Sequence, residues 1–211
     1  MRKAKNYEAY QAIKHLILSN QLFPGQKIIY RDLEEKLRMS KTPIINALVM
    51  LEKDNLVVSK KNRGFYIRGL NPKEAEQIYA LRESLEELAL GCAIRNHTRK
   101  DIEILREKLD AYNEYVSEIY DQKRLALDTA FHLQIAVMGK NPFLVNIMEQ
   151  FYENIYFVLR VIFLSPFLER FKKDHELLFQ AIEARDIEQA KKVLKLHMES
   201  CRDLIVKLMG V

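Results

Sequence analysis

Four residues suited to binding a metal ion lie in the second half of the chain, on three stretches with helical periodicity. Asp128 and His132 are four residues apart, so they share one face of a helix, one turn apart. His175 and His197 lie about ten residues before and about eleven after a break at Arg185-Asp186, roughly 15 Å each way along two antiparallel helices. Antiparallel neighbours would therefore bring these two histidines side by side.

Three neutral imidazoles and one carboxylate form a ligand set for Zn, Ni, Mn or Fe(II), with positions left for exogenous oxygen ligands. The alternative is that each histidine is a separate side chain, satisfied by a carbonyl or a carboxylate. We expect a divalent transition-metal cofactor, whose identity the pattern leaves open. The other two histidines, His15 and His97, lie in surface-like segments and carry no such pattern.

The N-terminal third has the pattern of a DNA-binding module. A short helix predicted from Ser40 carries a buried stripe at i, i+3, i+4 and i+7, formed by Ile44, Ala47, Leu48 and Leu51. A short charged segment at 31–38 precedes it, and two short β-branched and aromatic strands follow, joined by a basic turn at 59–64. Two short helices followed by a hairpin are the outline of a winged helix-turn-helix, whose second helix enters the major groove.

This segment resembles the N-terminal domain of the GntR family of bacterial repressors, most clearly in Pro24-Gly25, Ser40-Lys41-Thr42-Pro43 and Arg63-Gly64. The resemblance implies contacts to double-stranded operator DNA from the helix pair and the wing tip. The predicted DNA-binding residues are Arg31, Lys41, Thr42, Ile45, Asn46, Arg63 and Gly64. Ile45 departs from the family, which usually has arginine there. Either the helix makes one contact fewer, or the isoleucine packs on a thymine methyl group.

The net charge of +5 is spread unevenly along the 211 residues. Residues 1–72 hold 14 Lys and Arg against 6 Asp and Glu, a net +8, whereas the remainder holds 20 against 23, a net −3. A basic N-terminal third suits phosphate binding. No apolar run approaches the roughly 18 residues of a membrane span, and the N-terminus lacks the apolar core of a signal peptide, so we expect a cytoplasmic protein. Cys92 and Cys201 have no metal-like spacing and are interpreted as buried free thiols.

A domain boundary is predicted at Gly69-Leu70-Asn71-Pro72, because glycine ends the last strand, Asn71 can cap a helix and Pro72 suits its first position. We expect residues 1–69 to form a winged helix-turn-helix DNA-binding domain. Residues 70–211 are expected to form an all-helical effector-binding, metal-binding and dimerisation domain. The fold class is mainly α, with a small β-hairpin as the wing.

The helices are predicted from apolar periodicity and from capping residues. The first is expected over 7–18, and the C-terminal bundle has six antiparallel helices, at 72–96, 98–119, 121–138, 142–164, 166–184 and 187–209. Thr98 and Asp101 are expected to form a capping box. The apolar stripe on the first of the six is expected to face the bundle interior and consists of Ile78, Leu81, Leu85, Leu88 and Cys92.

The C-terminal part is similar to the ligand-binding (FCD) domain of the FadR-type branch of GntR regulators. Metal-binding members carry D-x3-H on one helix and a histidine on each of the last two, matched here by Asp128, His132, His175 and His197. The resemblance implies a homodimer in which a small organic acid completes the coordination of the metal. It also implies that Arg82 grips the effector carboxylate. The alternative for Arg82 is a surface ion pair with Glu86. Aromatic residues near 151–163 are interpreted as core or dimer packing rather than as pocket wall.

The leading hypothesis is a transcriptional regulator, a repressor and not an enzyme, whose operator affinity changes when the effector binds. One alternative is a metalloenzyme using the three-His, one-Asp site for hydrolytic or oxygenase chemistry. Against it, no general base stands at motif spacing, and a wing would serve no purpose. A third hypothesis keeps DNA binding and makes the metal purely structural.

Overall fold

The chain forms two units, residues 1–70 and residues 71–211. The computed structural model describes residues 2–19, 21–69, 71–116, 122–158 and 168–209. The division lies one residue from the boundary predicted from sequence. No helix within these described ranges has the length and apolar character needed to cross a membrane.

The N-terminal unit contains three helices followed by a two-stranded antiparallel hairpin. The elements are α1 (Arg2–Leu18), α2 (Tyr30–Leu37), α3 (Lys41–Lys53), β1 (Val57–Lys60) and β2 (Gly64–Ile67). Val57 is paired with Ile67 and Lys60 with Gly64, and Lys27 adds an isolated bridge to Tyr66. The predicted order of helix pair and hairpin is confirmed.

The core of this unit lies between α1 and α3. The predicted stripe on α3 is fully buried, and Ile13 and Ile17 of α1, which packs against α3, are buried as well. Helix α1 begins at Arg2, earlier than predicted, because its polar first turn carries no apolar periodicity. Ser40 is the N-cap residue of α3, as predicted, although its side chain makes no capping hydrogen bond.

The C-terminal unit consists of six helices within its described residues, the number predicted. They are α4 (Pro72–Asn96), α5 (Arg99–Glu114), α6 (Gln122–Met138), α7 (Pro142–Val158), α8 (Leu168–Glu183) and α9 (Ile187–Met209). The capping box of Thr98 and Asp101 is confirmed, and Asn71 with Glu74 forms a second one. Helix α5 ends at Glu114 rather than at 119. The predicted end of the fourth bundle helix at 164 and start of the fifth at 166 lie outside the described residues.

The prediction for the buried face of α4 is wrong for two residues of the stripe, although Leu85 of the same stripe packs against the core. Leu81 and Leu88 of the apolar stripe are 51% and 53% exposed. The buried face instead contains Ala75, Tyr79, Arg82, Glu86, Ala89, Leu90, Ala93 and Ile94. Apolar periodicity misassigned the face because the interior of this bundle holds a pair of charged side chains, which periodicity counts as solvent-facing.

Polar side chains join the loops at one end of the bundle, which we call the tied end. Asn96 Nδ2 donates to the carbonyl oxygen of Gly139 at 3.0 Å, and Lys140 Nζ donates to both carboxylate oxygens of Asp101 at 2.8 Å. Arg185, in the turn between α8 and α9, donates to two backbone carbonyls at the end of α4. The three loops between consecutive helix pairs are therefore fastened to one another.

His97 lies within the tied end and is only 8% exposed, not near the surface as its segment suggested. It is the C-cap residue of α4, and Arg185 Nη2 donates to its carbonyl oxygen at 2.8 Å. Neither ring nitrogen has a hydrogen-bond partner among the described residues. His97 is buried because its backbone lies in a loop that contacts the turn between α8 and α9. A sequence pattern around one residue cannot predict such a contact.

Candidate metal centre and nucleic-acid interface

Three helices of the C-terminal unit bring together the four residues predicted to bind metal. Helix α6 supplies Asp128 and His132, α8 supplies His175 and α9 supplies His197. All four side chains are buried, and one ligand atom from each lies within 4.8 Å of the ligand atoms of the others. The expected juxtaposition is therefore present in the fold.

Two of the distances between ligand atoms fit one shared cation. His132 Nε2 and His175 Nε2 are 3.2 Å apart, and His175 Nε2 lies 3.4 Å from Asp128 Oδ1. Two nitrogens each about 2.1 Å from a metal are about 3.0 to 3.4 Å apart when the angle between them is octahedral or tetrahedral. Facing imidazole nitrogens at this distance either share a proton or bind one cation.

Carboxylates orient two of the histidines by contacting Nδ1, the ring nitrogen that is not needed for the metal. Glu86 Oε2 lies 2.6 Å from His132 Nδ1, and Asp174 Oδ2 lies 3.3 Å from His197 Nδ1. A carboxylate in this position favours the proton on Nδ1 and leaves the Nε2 lone pair for a metal. His175 Nδ1 has no hydrogen-bond partner among the described residues. Its ring is held by packing, since the Tyr112 ring meets it edge-on at 4.7 Å.

The protonation of two site histidines is shifted in opposite directions. Burial, followed by the neighbouring His197 and His132, holds the pKa of His175 well below its ordinary value. Burial alone would lower the pKa of His197, but Cys201 and Asp174 raise it above the ordinary value. His175 is therefore neutral and ready to act as a ligand, whereas a metal has to displace a proton from His197.

Arg82 combines features of both interpretations made from the sequence. Its Nε donates to Glu86 Oε1 at 2.6 Å, so the ion pair with Glu86 exists, but it is buried rather than on the surface. Its Nη2 also donates to Asp128 Oδ2 at 3.4 Å, which places the guanidinium against one of the four candidate ligands. Contact with an effector stays a prediction for this residue.

Glu86 and Tyr152 belong to the site, although sequence reasoning gave neither this role. Tyr152 Oη donates to Glu86 Oε1 at 2.5 Å, so the tyrosine is part of the polar interior and not simply core packing. Burial would raise the pKa of Glu86, but the charges of His132 and Arg82 hold it well below its usual range. The available signal was spacing, because a glutamate four residues after a pocket-facing arginine shares its helix face.

The predicted DNA-binding residues of α3 lie on the side of the helix away from its buried stripe. Lys41 and Thr42 are exposed in the first turn, while Ile45 and Asn46 are half-buried. Lys41 Nζ lies 5.2 Å from the centre of the Tyr30 ring. The amide of Asn46 reaches Asn6 Oδ1 of α1 at 3.4 Å, so this side chain also joins two helices.

The remaining predicted contacts lie on α2 and in the wing. Arg31 is exposed and its Nε lies 3.1 Å from Glu35 Oε1. Arg63 is exposed in the hairpin turn. Gly64 has a φ of +87°, so glycine is favoured there by the backbone as well as by any approach of DNA.

Together, these two units define a class of protein: a DNA-binding regulator with a winged helix-turn-helix and an all-helical ligand-binding unit. Residues 5–67 match the family of bacterial regulatory proteins called gntR, and residues 77–200 match the FCD domain. The chain belongs to the GntR family of transcriptional regulators and carries an FCD domain.

Individual proteins are similar over about two thirds of the chain or more. The chain is 26% identical to the uncharacterized HTH-type transcriptional regulator YdhC of Bacillus subtilis, over 89% of this chain and 85% of the relative. It is 31% identical to the Nta operon transcriptional regulator of Aminobacter aminovorans, over 64% of this chain and 63% of that protein. The solved structure of Escherichia coli McbR/YncC has a TM-score of 0.66 at 24% identity and covers 98% of this chain and 97% of its own.

These matches decide between two of the functions considered from the sequence. The matched family and its named members are transcriptional regulators and not enzymes. The chain is therefore a DNA-binding transcriptional regulator, and the metalloenzyme hypothesis is dropped. The buried cluster of three histidines and one aspartate then has to be explained within a regulator.

Proposed function

We propose that this chain is a homodimeric repressor whose operator affinity is controlled by a small carboxylate effector, bound at a divalent metal held by Asp128, His132, His175 and His197. The observation that carries the proposal is the convergence of these four buried donors, with carboxylates behind two of them. A bound metal would supply a Lewis-acid anchor for carboxylate oxygens. The chain's own residues would orient the ligand, exclude water and carry the response to the DNA-binding unit.

The charge of the site favours an anionic effector. Apart from the site histidines, the ionised side chains around the cluster are two cations against three anions, namely Arg82 and Arg124 against Glu86, Asp128 and Asp174. Once His197 has lost its proton, a divalent metal changes this net −1 to +1. An uncompensated charge in a buried site is unfavourable, so one further negative group stabilises the loaded state. A monocarboxylate supplies that group, and Arg82 is placed to exchange its contact with Asp128 for one with the effector.

The effector would act through α4. This helix carries Arg82 and Glu86, which contact the cluster, and its first residue, Pro72, closely follows the N-terminal unit in the chain. An effector that binds one arrangement of the Arg82–Asp128 contact more tightly than another shifts the population between them. The recognition helices of a dimer have to lie about one DNA turn apart, so a small shift of α4 changes operator affinity.

The test combines metal analysis with DNA binding. Protein purified without chelators is expected to contain a divalent metal, and carboxylates from a panel of small mono- and dicarboxylic acids are expected to alter retardation of a selected operator. Removing the metal with a chelator should abolish that response. If the protein holds metal but no carboxylate binds, the structural-metal hypothesis replaces this one. If metal-free protein responds normally, the proposed site is wrong.

We infer that the homodimer forms through an apolar face shared by α4 and α7. Helix α4 exposes Leu81 and Leu88, at 51% and 53%, and α7 exposes Phe143 and Ile147, at 79% and 53%. Leu85 of α4 packs against the core cluster that includes residues of α7, which places the two stripes on neighbouring helices. Exposed apolar side chains on two neighbouring helices suit an interaction surface. A second copy can cover it, because a two-fold axis pairs such a face with itself.

Replacing Leu88 by aspartate is expected to weaken the dimer at least about 100-fold, because each interface would bury two unpaired carboxylates. Analytical ultracentrifugation over a concentration series measures the change. Leu196→Asp is the matched control, since Leu196 is a similarly exposed leucine, at 48%, on α9. Equal dimerisation of the two variants would place the interface elsewhere.

Replacing Lys41 by alanine is expected to weaken binding to a selected operator by about 1–3 kcal/mol, roughly 5- to 150-fold, if the lysine contacts a base edge. Lys41 is exposed in the first turn of α3, the part of a recognition helix that meets base edges. Retardation assays over a salt series give the affinity and its salt slope.

Lys53→Ala controls for the loss of charge, because Lys53 is an exposed lysine at the opposite end of the same helix. The control is expected to lower affinity by less than about threefold, through general electrostatics alone. The assignment of Lys41 is overturned if both variants lose affinity equally.

A further inference from the structure

A fifth potential metal ligand lies beside His197, one of the four already described. Cys201 follows His197 by four residues on α9, the same spacing that places Asp128 and His132 on one face of α6. Cys201 Sγ lies 3.7 Å from His197 Nε2, which is closer than the 4.0 Å between Asp128 Oδ1 and His132 Nε2. The spacing between Cys92 and Cys201 is not typical of a metal site, whereas the four-residue spacing between His197 and Cys201 is compatible with one.

The distance between sulfur and nitrogen is compatible with binding to one metal. A thiolate sulfur binds zinc at about 2.3 Å and an imidazole nitrogen at about 2.1 Å, so the two atoms are about 3.1 to 3.7 Å apart for angles between 90° and 115°. The observed 3.7 Å lies at the upper end of this range. Cys201 is also buried, so the thiol is shielded from solvent.

We propose that Cys201 is a further metal-binding residue, giving the metal one carboxylate, three imidazoles and one thiolate from this chain. The proposal rests on the metal site of the proposed function. A thiolate adds one negative charge to the loaded site, and five protein ligands still leave one position of an octahedral metal for an effector oxygen. The sulfur–hydrogen bond ionises when sulfur binds, and the proton passes to solvent, as is usual for thiol ligands.

A thiolate in the site changes which metals it prefers. Sulfur is a soft ligand, so it favours zinc and cobalt over manganese, for which oxygen and nitrogen ligands suffice. Cys201→Ser is therefore expected to lower zinc affinity at least about tenfold while changing manganese affinity by less than about threefold. Competition with a chromophoric chelator measures both affinities.

Cobalt spectroscopy tests the bond itself, and Cys92→Ser is the matched control. Cys92 is the other free cysteine and lies on α4, where its sulfur accepts a hydrogen bond from Arg95 Nη2 at 3.6 Å. Cobalt-loaded wild type and Cys92→Ser are expected to show a strong near-ultraviolet charge-transfer band from thiolate to cobalt. Cys201→Ser should lose that band and keep the weaker visible bands of cobalt bound to nitrogen and oxygen.

X-ray absorption of the zinc-loaded wild type tests the same bond without a variant. The result therefore does not depend on whether a variant folds. A sulfur shell at about 2.3 Å is expected. Visible cobalt bands without a charge-transfer band in wild type, together with no sulfur shell on zinc, would overturn the role of Cys201 and leave the four-residue site intact. Failure of cobalt and zinc to bind at all would overturn both proposals.

Discussion

Replacing His175 by alanine is expected to reduce bound metal from about one ion per chain to less than about a tenth, because this residue is central to the cluster. Its Nε2 lies within 3.4 Å of both His132 Nε2 and Asp128 Oδ1, and its pKa is held low, so it is neutral and ready to bind. A ligand at a thousandfold excess over its Kd stabilises a protein by about 4 kcal/mol. At 2–4 °C per kcal/mol, metal should raise the melting temperature of wild type by about 10 °C. The variant should show no such rise.

His97→Ala is the matched control for this experiment, because His97 is a second buried histidine of the same unit and lies in the tied end. It should keep about one metal per chain, even if the deletion lowers stability. Elemental mass spectrometry after dialysis gives the metal content, and thermal scans with and without metal give the stabilisation. A normal metal content in His175→Ala would contradict the proposed ligand set.

Replacing Glu86 by alanine is expected to destabilise the C-terminal unit by about 3–5 kcal/mol, which lowers its melting temperature by about 10 °C. The carboxylate accepts from Arg82 Nε and from Tyr152 Oη, and it lies 2.6 Å from His132 Nδ1. The alanine removes the nearest partner of the buried Arg82 guanidinium, which keeps only its 3.4 Å contact with Asp128, and a buried charge that loses its nearest partner is strongly unfavourable. Thermal or denaturant unfolding of metal-free protein measures the loss.

Glu87→Ala separates this effect from the general loss of a helix glutamate. Glu87 is the next residue on α4 and pairs with Lys191 at 2.7 Å, but both side chains are largely exposed. An exposed ion pair contributes little, so the melting temperature should change by at most about 2 °C. Equal destabilisation by both substitutions would show that the buried network does not stabilise the fold.

The Glu86 carboxylate also predicts how the stability of the C-terminal unit changes with pH. Burial would raise the pKa of Glu86 in the folded state, but His132 and Arg82 lower it. The folded chain therefore binds fewer protons at this carboxylate than the unfolded chain does. Its contribution is complete above the unfolded pKa of about 4.3 and is lost as the pH falls towards the folded value. Metal-free Glu86→Gln should lack this part of the acid dependence, whereas Glu87→Ala should retain it.

The sequence alone predicted the helix boundaries that are set by capping residues. Asn71 and Pro72 start α4 where expected, because a capping amide and a residue without a backbone N–H suit the first turn. His175 and His197 could be placed together from the short loop between their helices, whereas joining them to Asp128 and His132 depended on the resemblance to metal-binding FCD domains. The helix boundaries and the pairing of His175 with His197 depend on residues close in sequence, or on a single helix pairing.

The parts that sequence reasoning missed depend on which face of a helix is buried. Hydrophobic periodicity placed Leu81 and Leu88 inside and Glu86 outside, and the structure reverses both assignments. The charge of Glu86 is tolerated in the interior only because Arg82 and His132, from two different helices, meet it there. Compensation of this kind comes from tertiary contacts, so no local pattern on α4 could reveal it.

The tied end fixes the C-terminal end of α4, so a tilt of this helix would pivot about that end. Asn96 and the last carbonyls of the helix are fastened to the other two loops, whereas its first residues continue towards the DNA-binding unit. The helix has 25 residues, so it is about 37 Å long. A tilt of about 5° about the fastened end displaces the first turn by about 3 Å. The same tilt moves the backbone by about 2 Å at Arg82 and by about 1 Å at Glu86, so a shift at these residues is about doubled where the chain leaves the bundle.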